Sequence, residues 1–242
     1  MTTTMIGYRE EPAPAGLVGL VACVWRDQAA TRREQRVLPD GCIDLIWTDG
    51  AVYVAGPDTG AFVVTQEPGQ PITGLRFHPA AAPGVLGVPA HVVRDQRVPL
   101  TELWSATSLA EQVAADPAAG LAAAVARRAS GPDVGPDPAL REVLARLRAG
   151  SGVAATADAL GWTERALHRR CRDAFGYGPS VLRRVLRFRV ALRLASHGVP
   201  FAATAARAGY ADQAHLAREV RALAGVPLGE LLRGELLRGE RA

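Results

Sequence analysis

The sequence predicts an α+β protein in two parts. An N-terminal small β-barrel or sandwich with flanking helices precedes an all-α tandem helix-turn-helix domain joined by a long helix. Three observations carry this. Five short runs rich in β-branched and aromatic residues, each bounded by turn residues, fall before residue 80. A Gly/Pro/Asp stretch, Gly131-Pro-Asp-Val-Gly-Pro-Asp-Pro138, divides the chain. Beyond it an Ala-rich segment ended by Gly and an aromatic recurs 48 residues later, and both copies open a second helical run.

Taken in order, the β runs are Leu17–Trp25, Gly41–Trp47, Ala51–Ala55, Ala61–Thr65 and Ile72–Phe77, separated by turns such as Pro39-Asp-Gly41 and Thr48-Asp-Gly50. Leu100–Trp104 and the Ala-rich stretches to Ser130 read as helix and close a first domain, residues 1–135. In the second domain, residues 136–242, Leu140, Val143, Leu144 and Leu147 form an i, i+3, i+4, i+7 stripe. The repeat follows: Ala155-Thr-Ala-Asp-Ala-Leu-Gly-Trp162 returns as Ala203-Thr-Ala-Ala-Arg-Ala-Gly-Tyr210. Helix, Gly-centred turn and helix then define units at about 153–176 and 201–225. A connecting helix over about 180–197 starts after Pro179 with Ser180 as its cap and ends before Gly198.

Composition narrows the function. With 48% apolar and 21% charged residues over 242 positions, the chain is globular in character. Its net charge of +4 is unevenly divided. Residues 1–140 hold 10 of the 28 basic and 15 of the 24 acidic side chains, so the remainder is strongly basic, as expected of a part that meets a polyanion. Every basic residue is Arg. Cys23, Cys42 and Cys171 are scattered without metal-ligand spacing, which predicts a reducing cytoplasm and no metal or cofactor. Neither a signal peptide nor a membrane span is expected.

The chemistry concentrates on the second helix of each unit. In the first, Leu167, Cys171 and Phe175 repeat every four residues and face inward. Arg165, His168, Arg169 and Arg172 then face outward behind a Thr163 cap. Arginine grips guanine O6 and N7 with two hydrogen bonds or clamps a phosphate. The bland reading is a solvated Arg face, but Trp162–Arg193 carries nine Arg against Glu164 and Asp173 alone. Such an excess repels itself unless a polyanion neutralises it. In the second unit Leu216 and Val220 point inward, leaving Gln213, Ala214, Ala217 and Arg218 outward. Gln suits adenine, Arg suits guanine, and Ala meets a thymine methyl. The first unit is expected to dominate affinity.

Residues Ala155 to Arg170, Phe175-Gly-Tyr-Gly-Pro179, Arg187-Phe-Arg-Val-Ala-Leu-Arg-Leu194 and Ala208-Gly-Tyr-Ala-Asp-Gln-Ala-His-Leu-Ala-Arg218 together resemble the DNA-binding domain of the AraC/XylS family. The resemblance implies a transcription regulator whose positions Arg165, His168, Arg169, Gln213 and Arg218 enter the major groove of double-stranded operator DNA. The chain departs from the family pattern at Ala217, where a polar residue is usual, at Cys171 and Val220, where Phe is usual, and in its Gly225-Val-Pro227 spacing. The first domain resembles the β-rich part of a group of AraC-type regulators bearing Leu38-Pro-Asp-Gly-Cys-Ile-Asp-Leu45, with Gly74-Leu-Arg-Phe-His-Pro79 and Leu86-Gly-Val-Pro-Ala90 also matching. That implies a sensor of a small-molecule effector, or a homodimerisation module working through helices 101–130.

The candidate effector pocket is Trp25, Asp44, Trp47, Tyr53 and Arg76, with Phe62 and Phe77 nearby. Strand aromatics are more often plain core. Asp44, inside an apolar strand, must be exposed, paired or hydrogen-bonded, and Arg76 is its expected partner. Two other readings stay open. One is a constitutive DNA binder whose first domain only dimerises. The other is a Cys42-dependent repair or redox protein using His78 or His91, although no catalytic motif accompanies them.

Overall fold

The computed structural model describes residues 7–105, 109–129, 135 and 137–236. The first domain is built from eight strands: β1 (Arg9–Pro12), β2 (Val21–Gln28), β3 (Arg33–Val37), β4 (Asp44–Thr48), β5 (Ala51–Ala55), β6 (Phe62–Gln66), β7 (Pro71–Phe77) and β8 (Arg97–Pro99). Six of them make an antiparallel sheet in the order β1-β2-β7-β4-β5-β8, while β3 and β6 pair separately. The larger sheet is open, with β1 and β8 as its edges, so the barrel form of the expectation gives way to the sandwich-like one. The expected first strand begins later, at Val21, because Leu17 to Leu20 form turns; Gly41 to Ile43 likewise lie outside β4.

Register explains which residues go inside. Val24, Leu75, Leu45, Val54 and Val98 are direct neighbours across five strands and therefore point to one face. That face packs on helices α1 (Ala82–Leu86), α2 (Leu109–Ala115) and α3 (Pro117–Arg128), whose Val85, Leu86, Val113, Leu121 and Val125 complete the core. One residue along each strand the rows alternate to the opposite face. One such row runs Cys23, Arg76, Asp44, Ala55, Arg97; another runs Trp25, Gly74, Ile46, Tyr53, Pro99.

Gly74 is dictated by that second row. A Cβ there would lie 2.0 Å from Cε2 of the buried Trp25 ring. Gly74→Ala should therefore destabilise the protein by about 2–3 kcal/mol, as overpacked cores do. Chemical denaturation checks this, and an unchanged midpoint would mean that the indole moves aside freely.

The second domain runs α4 (Pro138–Arg148), α5 (Val153–Ala159), α6 (Glu164–Phe175), α7 (Pro179–Ser196), α8 (Phe201–Arg207), α9 (Gln213–Ala224) and α10 (Leu228–Leu236). Most of the dividing stretch 131–138 lies outside the described residues. α7 begins one residue before the expected Ser180 cap: Gly178 is its N-cap and Pro179 its first helical residue. Proline suits that place because its φ is already helical and its missing N–H would have had no partner. The helix forms the shared wall of two cores. Leu182, Val185 and Leu186 pack with α4 to α6, whereas Phe188, Ala191, Leu192 and Ala195 pack with α8 to α10.

Candidate nucleic-acid interface

The two halves of the internal repeat share the same kinds of local hydrogen bond. Thr156 Oγ1 donates to Gly152 O (2.8 Å), and Thr204 Oγ1 donates to Val199 O (3.0 Å), each from a fully buried side chain. Trp162 N donates to Ala157 O and Tyr210 N to Ala205 O, both at 2.9 Å, across turns made at Gly161 and Gly209. The second helix of each unit has its own side-chain cap. Thr163 accepts from Ala166 N (3.2 Å) on α6, and Asp212 accepts from His215 N (2.6 Å) on α9.

On α6, Leu167, Cys171 and Phe175 are buried, as the four-residue spacing predicts. Arg165, His168, Arg169 and Arg172 are exposed on the other side. His168 also covers Gly178 at the start of α7, where a Cβ would come within 2.6 Å of its Nε2, so its ring is partly committed to packing. On α9, Leu216 and Val220 are buried and Gln213, Ala214, Ala217 and Arg218 are exposed. Arg165, Arg169, Arg172 and Arg218 make no ion pair or hydrogen bond among the described residues.

The unpaired charge is smaller than the sequence window suggested, because three of its arginines hold the domain together. Arg184 Nε reaches Glu219 Oε2 at 2.8 Å and Arg187 Nη2 reaches the same oxygen at 3.6 Å, tying α7 to α9. Arg187 also stacks on Tyr210, 4.3 Å from the ring centroid. Arg170 stacks on Trp162 at 4.4 Å and lies 3.6 Å from Asp137. Sequence counting missed these partners because Glu219 and Asp137 lie outside the charged window. Of the six arginines left in the window, Arg165, Arg169 and Arg172 lie on the α6 face that the periodicity singled out, and Arg183, Arg189 and Arg193 lie on α7.

In the first domain, three of the five candidate pocket residues come together. Trp25 Nε1 donates to Asp44 Oδ2 (2.9 Å), and Arg76 donates to both Asp44 oxygens (3.1 and 3.2 Å). Burial pushes the Asp44 carboxyl up, while the Arg76 guanidinium and the Trp25 indole draw it back. Arg76 also approaches Asp40 (3.7 Å) and Glu10 (3.5 Å). Tyr53 shares this face of the sheet; Trp47 projects from the other face and packs against the helix-backed core, as Phe77 does. Phe62 lies under the Arg97 guanidinium, 4.1 Å away. The Asp44 cluster thus spends its hydrogen bonds on itself. A separate cleft of about 270 Å³ lies between α2 and α3, lined by Trp104, Leu109, Gln112, Arg127 and Arg128 among others. Sequence reading did not single it out, because it forms only where the two helices meet.

Cys42, His78 and His91 each have their own neighbours. Desolvation pushes the Cys42 thiol well above its ordinary value, His78 Nε2 lies 3.2 Å from Val18 O, and His91 Nδ1 lies 3.4 Å from Asp173 Oδ1. Among the described residues no group of His, Cys, Asp and Glu is placed to hold a metal ion, and no helix is long and apolar enough to cross a membrane.

Comparison with known proteins agrees with this geometry. Residues 156–234 match a helix-turn-helix domain family of the AraC type, and residues 9–99 match a domain of unknown function, DUF6597. No curated protein matches the chain. Among solved structures, ToxT from Vibrio cholerae O395 is similar with a TM-score of 0.50 at 9% identity, over 97% of this chain and 99% of that one. A second ToxT structure from Vibrio cholerae has a TM-score of 0.50 at 10% identity, over 94% and 98% of the two chains. A third, bound to (E)-4-(8-methylnaphthalen-1-yl)but-3-enoic acid, has a TM-score of 0.50 at 11% identity, over 94% and 98%. At these identities the likeness is one of fold.

Proposed function

We infer that this chain, which carries an AraC-type helix-turn-helix domain, is a sequence-specific DNA-binding transcription regulator whose first domain responds to a small molecule. The observation that carries the DNA reading is the pair of matching units, each presenting an exposed helix with arginines that have no partner among the described residues. Arg165, His168, Arg169 and Arg172 behind the Thr163 cap would dominate affinity. Gln213, Ala214, Ala217 and Arg218 would add register and base preference. Two joined units on one chain imply a long asymmetric site covering two major-groove segments about 34 Å apart. The domain division near residue 135 and the cytoplasm as the place of action follow from this reading, and no catalytic step is assigned. Purified protein should select a defined set of genomic fragments. Because the free arginines release counterions, affinity for them should fall roughly linearly in log–log form as salt rises. Fragments recovered without sequence preference would overturn the reading.

The effector rests on separate support: the ToxT structure of like fold bound to a carboxylic acid, and the cleft between α2 and α3. Screening a metabolite library by thermal shift should find a compound that raises the melting temperature and changes operator affinity. Absence of any such compound would favour the constitutive reading.

A further inference from the structure

Both DNA-reading helices end in the same way, and both ends are held by the first domain. α6 stops at Gly176 (φ +85°) and α9 at Gly225 (φ +76°), left-handed positions that glycine adopts without strain. Arg94, just beyond the turn over Ala90–Val92, donates from Nη1 to Gly176 O (3.3 Å). Arg36 on β3 donates from Nη1 to Ala224 O (3.1 Å). The glycines themselves are covered. A Cβ at Gly176 would strike Pro57 Cγ at 2.4 Å, and one at Gly225 would press on Arg36 Nη1 at 3.2 Å. Each guanidinium therefore meets the carbonyl-rich, negative end of a recognition helix, where a cation is favoured.

The two contacts come from one body. Leu38, two residues after Arg36, packs into the core shared by α7 and α9, and Gly41 approaches Tyr177 Oη and Leu182 beside the first unit. Asp58 and Arg97 pair at 2.7 Å, fixing the loop of Pro57 next to the strand that follows Arg94. The Leu38–Leu45 signature thus lies against the DNA-binding domain. The side chains that read DNA, from Arg165 to Arg172 and from Gln213 to Arg218, precede the clamped ends of their helices.

We propose that Arg36 and Arg94 are positioning residues: by holding the C-terminal ends of α9 and α6 against the first domain, they fix the separation and twist of the two recognition helices, and so set the half-site spacing that the chain accepts. α7 joins the units along one side, and the clamp supplies the second attachment that resists hinging about it. The proposal rests on the DNA reading above, and the experiment separates the two.

Operators selected with the wild-type full chain are footprinted, then remade with one or two base pairs added or removed between half-sites. Wild type should lose about tenfold or more on a single insertion, in line with the cost of a misplaced contact. The Arg36→Ala, Arg94→Ala protein should bind the parent operator within about threefold of wild type, and lose less than about threefold on the insertion. Arg36→Lys with Arg94→Lys should restore discrimination. If the alanine protein fails to fold by circular dichroism, Arg36→Met with Arg94→Met keeps the packed stems and removes the donors. A folded variant that discriminates spacing as wild type does overturns the proposal, as does one that loses the parent operator. Wild type selecting no sequence overturns the DNA reading, and the proposal with it.

Discussion

Arg169→Ala should weaken binding to a selected operator by about 5- to 150-fold, equivalent to about 1–3 kcal/mol for a base-reading arginine. The side chain is exposed on α6, six residues beyond the Thr163 cap, and has no acidic or carbonyl partner among the described residues. Nothing in the protein replaces what the alanine removes, so the loss falls on the DNA complex and leaves folding stability nearly untouched. Arg170 next to it makes the control. Its guanidinium sits on Trp162 and beside Asp137, so Arg170→Ala should cost a little stability and change operator affinity by less than about threefold. Mobility shift on both variants, with melting curves alongside, separates reading from packing. Equal affinity losses at the two positions would mean nonspecific attraction to the basic helix. If Arg165→Ala, Arg169→Ala and Arg218→Ala combined leave affinity unchanged, α6 and α9 are not the reading helices.

The two faces of α6 were legible in sequence because a helix reports its faces through a short period: Leu167, Cys171 and Phe175 declare the buried side and the arginines the exposed one. The repeat added the second unit. What sequence could not assign was which arginines are structural, since Arg184 and Arg187 meet Glu219 across a turn and a helix. In the first domain, strands with apolar alternation were found, and those without it were missed. β1 is Arg-Glu-Glu-Pro and β8 Arg-Val-Pro, polar edge strands whose charges and prolines discourage further pairing. β3, Arg-Glu-Gln-Arg-Val, pairs with β6 alone and shows no apolar face. Trp47 and Asp44 read as one pocket, but lying three residues apart on one strand they point to opposite faces. The contact between domains left no local trace, because Arg36 and Ala224 are 188 residues apart.

The expected link between Asp44 and Arg76 leads to the largest stability effect. Their pairing sits in a sheet row flanked by Cys23 and Ala55, and the two side chains keep only 11% and 23% of their exposure. Asp44 accepts from Trp25 as well as Arg76, so Asp44→Leu strands both an indole N–H and a guanidinium. Asp40 and Glu10 stand 3.7 and 3.5 Å from Arg76 and offset part of the loss. The expected destabilisation is about 3 kcal/mol, the lower end of the range for breaking a buried pair, measured by urea denaturation. Replacing Arg76 together with Asp44, as Asp44→Leu with Arg76→Met, should recover much of it, because no charge is then left without its partner. The double variant distinguishes a pair that merely satisfies itself from one that also serves a ligand. If stability returns and operator control by an effector found in the thermal-shift screen survives, the cluster is internal scaffolding and that effector binds elsewhere. If stability returns while the effector's thermal shift disappears, Asp44 and Arg76 belong to the effector site. A single Asp44→Leu variant as stable as wild type would instead show that Asp40 and Glu10 hold Arg76 without it.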